Sequence, residues 1–179
     1  MKKLTLSLLL GAVIATGSAF AGTEAKTFKD KVVVEDTCLF RDTEFQVDAF
    51  YSGFYGGSGS KFSTGSGGGL GLNLFLWKYI GFGYEAQWYD NNGTAEHLPL
   101  GGSIFLRYPI CSINLAPYVM AGGGVAWDGD CIGYGNVGAG LEYRFTKNIG
   151  IFADGRYYYG VWGGDVSAAN LRAGLRFSF

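Results

Sequence analysis

Charge is scarce in this sequence. Asp, Glu, Lys and Arg make up 16% of its 179 residues, against about 25% in an ordinary water-soluble domain. Neither sign dominates, and a formal net charge of −1 argues against nucleic acid or another polyanion as a partner. Histidine occurs once, at His97, which leaves little for imidazole acid–base work or metal ligation. The 31 glycines follow no three-residue repeat, so a collagen helix is excluded. Beyond the N-terminal leader no apolar run reaches about 18 residues, so no helical membrane span is expected.

What is abundant is glycine and aromatic side chains, the latter 17% of the chain. Together they suit closely packed strands and membrane-interface girdles. Residues 1–21 read as an export signal. Lys2 and Lys3 precede an apolar stretch from Leu4 to Ile14, and Ala19-Phe20-Ala21 is a small-residue cleavage site. Residues 22–42 are a polar tail, expected in the periplasm, with a short strand at Val32-Val33-Val34.

From residue 43 the pattern becomes period-two alternation, the signature of half-buried strands. Eight strands are expected, at about 44–56, 66–76, 79–89, 97–108, 113–127, 134–145, 149–159 and 171–179. The last is the clearest: Leu171, Ala173, Leu175, Phe177 and Phe179 alternate with Arg172, Gly174, Arg176 and Ser178. No charge falls on any of the eight apolar faces, where one would cost about 2–4 kcal/mol in hydrocarbon. Links at 77–78, 109–112 and 146–148 are tight, whereas those at 57–65, 90–96, 128–133 and 160–168 are longer and rich in Gly, Ser, Asn and Asp. Short periplasmic turns alternating with longer external loops are the membrane-barrel pattern. Residues 43–179 are therefore expected to form an all-β, eight-stranded antiparallel up-and-down transmembrane β-barrel with both ends periplasmic. Pro117 should mark a bulge or strand end, since it cannot donate to a ladder.

The inward faces carry Asp48, Glu85, Glu142 and Asp154 with Arg107, Arg144, Arg156, Arg172 and Arg176. Packed inside a narrow barrel, these charges must pair. Arg172 and Arg176 are expected to meet Asp48 or its neighbours on strand one, which lies beside strand eight at closure. The network reads as a polar plug. The competing reading is a narrow ion path, and an eight-stranded lumen has little free width for one.

Catalysis has weak support. His97, expected on the lumen face, has Ser103 as its nearest same-face hydroxyl, about 20 Å away at strand rise, so no nucleophile–base pair forms locally. Asp128-Gly129-Asp130 begins like a calcium loop but lacks the later ligands. Neither a metal nor a cofactor is expected. Export permits a disulfide, and Cys38 with Cys111 is the only cysteine pair on one side of the membrane, placed to strap the tail under the barrel. The alternatives are three free thiols, or an intermolecular bond through Cys131 in an external loop. Aromatic residues at strand ends, among them Tyr79, Tyr108, Phe145, Trp88, Trp127 and Tyr159, form two interface girdles. Tyr134 and Trp162 in the loops have no partner pattern that would make a ligand site.

With eight alternating strands, the stretch Ala116-Pro117-Tyr118-Val119-Met120-Ala121-Gly122-Gly123-Gly124 and the terminal Phe179, the chain over about 44–179 resembles the small eight-stranded outer-membrane β-barrel proteins, the OmpA/OmpX-like group. The resemblance implies insertion into outer-membrane lipid by the barrel assembly machinery, which reads a C-terminal strand with a final aromatic, here Phe177 and Phe179. It brings no catalytic residues. Nothing follows Phe179, so the peptidoglycan-binding domain of full-length OmpA is not expected, and the cysteine-containing tail is a departure. The function expected is a non-enzymatic structural or surface-interaction barrel meeting an extracellular ligand through its loops. A narrow channel and a lipid-modifying enzyme are the other readings. A soluble lipocalin-like barrel would need the opposite polarity, apolar inside and polar outside.

Overall fold

The computed structural model describes residues 38–91, 94–128 and 130–179, without the side chains of 91–99 and 127–130. The leader, residues 22–37 of the tail with their valine strand, and the side chains of His97, Trp127, Asp128 and Asp130 lie outside the described residues.

Eight strands follow one another: β1 (Glu44–Gly56), β2 (Gly65–Phe75), β3 (Ile80–Asn91), β4 (Thr94–Arg107), β5 (Leu115–Asp128), β6 (Asp130–Arg144), β7 (Ile149–Trp162) and β8 (Ser167–Ser178). Each pairs antiparallel with the next, and β8 returns to β1, so the sheet closes with no free edge. Backbone bonds between Phe45 and Phe179 carry the closing ladder to the last residue. A three-residue 3-10 turn, Cys111–Ile113, lies between β4 and β5.

The strands are built by alternation. On β1, Gln46, Asp48, Phe50, Ser52 and Phe54 are buried, while Phe45, Tyr51 and Tyr55 are exposed. On β2 the exposed set is Leu70, Leu72 and Leu74, and on β8 it is Leu171, Leu175 and Phe177. The molecule is thus inverted: leucines, tyrosines and phenylalanines outside, arginines and carboxylates inside. The inward glycines form a checkerboard with large neighbours. Phe50 stands opposite Gly69 on β2 and Gly174 on β8, Asp154 opposite Gly140, and Arg156 opposite Gly138. A Cβ at Gly81 would meet the Phe75 ring at 2.7 Å, and one at Gly140 would meet the Tyr118 ring at 2.6 Å. Glycine is required there because the neighbouring ring occupies its side-chain space.

Three expectations change. The long loops are shorter than composition suggests. β3 and β4 pair up to Asn91 and Thr94, β5 and β6 up to Asp128 and Asp130, and only residues 163–166 link β7 to β8. Gly- and Tyr-rich segments that read as loops continue the ladders, because glycine weakens a strand without forbidding it. Second, the bulge in this part of the barrel falls at Pro99, and Pro117 takes the strand end, one of the two places expected for it. The β4–β5 register shifts between His97 and Leu100, and the β3–β4 register between Glu85 and Gln87. His97 is in register with Trp88 and Leu98 with Gln87, so the ladder does not run evenly through this stretch. Pro117 stays in continuous register with Leu141, just past the last β4–β5 pair. Third, Cys131, expected in an external loop, is a strand residue of β6.

Candidate functional site

The chemistry-bearing residues converge inside the barrel in two layers. The first lies at the end where β1 begins and β8 ends. Arg176 grips Asp48 with two hydrogen bonds, Nε to Oδ1 at 2.7 Å and Nη2 to Oδ2 at 2.6 Å, and extends Nη1 to Glu142 Oε2 at 2.7 Å. Asp48 and Arg176 are direct cross-strand partners at the closing seam. Arg144 Nε donates to Glu142 Oε1 at 2.6 Å, and its Nη1 donates to Glu44 Oε2 at 3.0 Å. Arg107 Nη1 completes the layer, 3.1 Å from Glu44 Oε1 and 3.6 Å from Glu142 Oε2.

The second layer lies nearer the middle. Arg172 holds Asp154 through Nε at 2.8 Å and Nη2 at 2.7 Å, and reaches Glu85 Oε2 through Nη1 at 2.8 Å. Arg156 bridges the same two acids, 2.6 Å from Glu85 Oε1 and 3.3 Å from Asp154 Oδ1. Phe50 and Phe152 sit between the layers: the Arg172 guanidinium is 4.4 Å from the Phe50 ring centre, and that of Arg176 is 4.6 Å from that of Phe152. The Tyr118 hydroxyl donates to Asp154 Oδ2 at 2.9 Å, tying β5 to the second layer. Planar guanidinium forks suit these bridges, since one Arg serves two carboxylates at once.

Beyond the second layer lies an aromatic cluster of Phe54, Phe62, Tyr89, Tyr134 and Tyr158, with Ile132 and Val166. Phe54 stacks on Tyr89 at 4.6 Å, and Phe62 enters from the β1–β2 link to meet Tyr158 edge-on at 6.1 Å. Tyr134 is therefore packed inside the barrel mouth, while Trp162 is exposed at the end of β7.

At the opposite mouth, Cys38 is bonded to Cys111, with 4.8 Å between their Cα atoms. Cys38, Phe40 and Ala116 form a small buried cluster. Phe40 lies against Arg107 and Arg144, 5.2 and 4.8 Å from ring centre to guanidinium carbon. Cys131 is free and exposed at the other end of the barrel. Among the described residues no group of His, Cys, Asp and Glu is arranged to hold a metal ion.

The nine charged lumen residues named from sequence all fall in these two layers, with one pairing changed. Arg172 does not meet Asp48. Its partner on β1 is Ser52, and its acid is Asp154, directly opposite on β7. Sequence reasoning missed Glu44, which is fully buried and bonded to both Arg107 and Arg144. The signal is present: Glu44 opens the expected first strand and alternates with Gln46 and Asp48, which puts it on their inward face. With it, acids and arginines match five to five.

No family model matches the chain, and no curated protein matches it by sequence. Its likeness is to solved structures. It is similar to the N-terminal β-barrel domain of Pseudomonas aeruginosa OprF, at 20% identity over 78% of this chain and 99% of that one, with a TM-score of 0.61. It is similar also to neisserial surface protein A, NspA, at 18% identity over 76% and 97% of the two chains, with a TM-score of 0.55. The outer membrane protein OprG of Pseudomonas aeruginosa matches at 10% identity over 80% and 98%, with a TM-score of 0.53. In its eight-stranded, antiparallel, up-and-down closed architecture, the chain has the fold of the small outer-membrane β-barrel proteins.

Proposed function

We propose that this chain is an integral protein of a bacterial outer membrane. In this reading residues 1–21 are removed on export, 22–42 lie in the periplasm, and 43–179 span the membrane with both ends periplasmic. The role is structural or surface-interacting and non-catalytic. The barrel assembly machinery inserts it through its C-terminal strand, with Phe177 and Phe179 as the signal. The observation that carries this reading is the inverted polarity: a continuous apolar exterior around a paired, charged interior. In water such an exterior would drive association, and in lipid it is the required surface.

The lumen is plugged. Support comes from the two charge layers, from Phe50 and Phe152 between them, and from the aromatic cluster that fills the far mouth. The far-end hairpins present the surface that meets an extracellular partner.

Two measurements test the reading together. The unboiled protein should run in the outer-membrane fraction with heat-modifiable migration, and the purified barrel should give no single-channel conductance in planar bilayers. Absence from that fraction overturns the location; steady conductance overturns the plug in favour of a narrow pore.

A further inference from the structure

The segment Cys38–Asp42 crosses the periplasmic-side mouth and is tied to each of the three tight turns there. Cys38 is bonded to Cys111 in the β4–β5 turn. Arg41 Nη2 donates to the carbonyl of Lys147 in the β6–β7 turn at 3.4 Å. Asp42 Oδ1 accepts from the backbone N–H of Lys78 in the β2–β3 turn at 2.9 Å. Under these ties Phe40 lies on Arg107 and Arg144, and the Leu39 carbonyl accepts from Arg144 Nη1 at 3.2 Å. The strap therefore lies across the Glu44–Arg107–Arg144 part of the first charge layer. Thr43, at φ 53°, then turns the chain into β1.

Only one of these ties is covalent, and its two cysteines differ in exposure. Cys38 is 5% exposed and packs with Phe40 and Ala116, whereas Cys111 stands in an exposed turn. A thiol arriving from solvent meets Cys111 first, and the site of attack is set by such access.

We propose that the Cys38–Cys111 bond is a reducible latch, through which a dithiol frees the Cys38–Asp42 strap from the barrel mouth. One thiolate of the dithiol attacks Cys111 Sγ and forms a mixed disulfide. The Cys38–Cys111 bond breaks, and Cys38 leaves as a thiolate that takes a proton from water. The second thiol of the reductant, deprotonated, attacks its own sulfur in the mixed disulfide. Cys111 is released as a thiolate and is protonated in turn. The protein gains two electrons and two protons, and the dithiol becomes a disulfide. The barrel ladders share no atom with the latch, so the barrel stays closed while the strap lifts. What is uncovered is a mixed acid–arginine surface, available to a periplasmic partner only in the reduced state.

The test uses the full chain assembled in lipid vesicles, with Cys131→Ser to silence the free thiol. Dithiothreitol is the probe. Alkylation reads the bond, trypsin cleavage after Arg41 reads the strap, and unboiled migration reads the barrel. On reduction Cys38 and Cys111 become alkylatable, the barrel keeps its folded migration, and cleavage after Arg41 rises at least about tenfold, since cleavage tracks the open population. A bond that resists reduction in the folded barrel overturns the latch. So does an unchanged cleavage rate, and so does unfolding of the barrel with the bond. A second chain, Cys38→Ser with Cys131→Ser, should be cleaved at the fast rate without reductant; cleavage at the oxidised rate overturns the proposal equally.

Discussion

Replacing Arg176 by Met should be among the most damaging single changes in the barrel. Its guanidinium makes three hydrogen bonds of 2.6–2.7 Å to two carboxylates and is almost fully buried. Without it, Asp48 keeps, among the described residues, the Asn73 amide at 2.8 Å. Glu142 fares better, since Arg144 and Arg107 remain. The damage is therefore one uncompensated buried carboxylate, which costs about 3–5 kcal/mol. Adding Asp48→Asn removes that stranded charge, so the pair Arg176→Met with Asp48→Asn should recover about 1–3 kcal/mol relative to the sum of the singles. The control is Arg172→Met with Asp48→Asn. Arg172 and Asp48 share no hydrogen-bonded partner, so these two should add to within about 0.5 kcal/mol. The assay is reversible urea unfolding in lipid vesicles, read by tryptophan fluorescence and by unboiled migration. A loss of under about 1 kcal/mol for Arg176→Met would refute the layer described here. Coupling of Asp48 to Arg172 as large as to Arg176 would restore the pairing expected from sequence and refute the register.

Three further outcomes follow from other parts of the fold. Leu141→Arg, on the exposed belt, should destabilise the barrel in vesicles by about 2–4 kcal/mol, and a loss below about 1 kcal/mol would argue against hydrocarbon at that face. Gly122→Val should block assembly, because a Cβ there runs into the Gly102 carbonyl and the Ser103 hydroxyl; overpacking costs about 1–3 kcal/mol, and backbone cannot swing aside, so the folded band should shrink on the gel. Phe179→Ala keeps the backbone bonds to Phe45 but removes the ring 6.5 Å from that of Phe45; the yield of assembled barrel in outer-membrane fractions should fall, and an unchanged yield counts against an assembly role for the ring.

The faces of the strands were legible in the sequence because period two leaves little choice. Once Phe45 is outside, Gln46 and Asp48 must be inside. The partners were harder to read, because register depends on strand stagger, which alternation does not encode. Arg172 and Arg176 look equivalent on β8, yet stagger puts Asp48 opposite one and Ser52 opposite the other. Pro99 illustrates a second limit. A bulge shifts the pairing register, and nothing in the residues around His97 distinguishes a shifted ladder from a continuous one. The aromatic cluster illustrates a third: Phe54, Tyr89, Tyr134 and Tyr158 lie within expected strands, but Phe62 lies in a segment whose glycine and serine content reads as loop.

The two charge layers have an electrical consequence. Glu44, Asp48 and Glu142 balance Arg107, Arg144 and Arg176, while Glu85 and Asp154 balance Arg156 and Arg172. A voltage across a membrane acts on a protein through the charge it can displace, about 2.3 kcal/mol per elementary charge per 100 mV. Within each layer the pull on the arginines is cancelled by the opposite pull on the acids. A field along the barrel axis stretches individual pairs but exerts no net force on either layer, and neither layer supplies a gating charge. Strongly charged inside, the lumen is electrically neutral layer by layer.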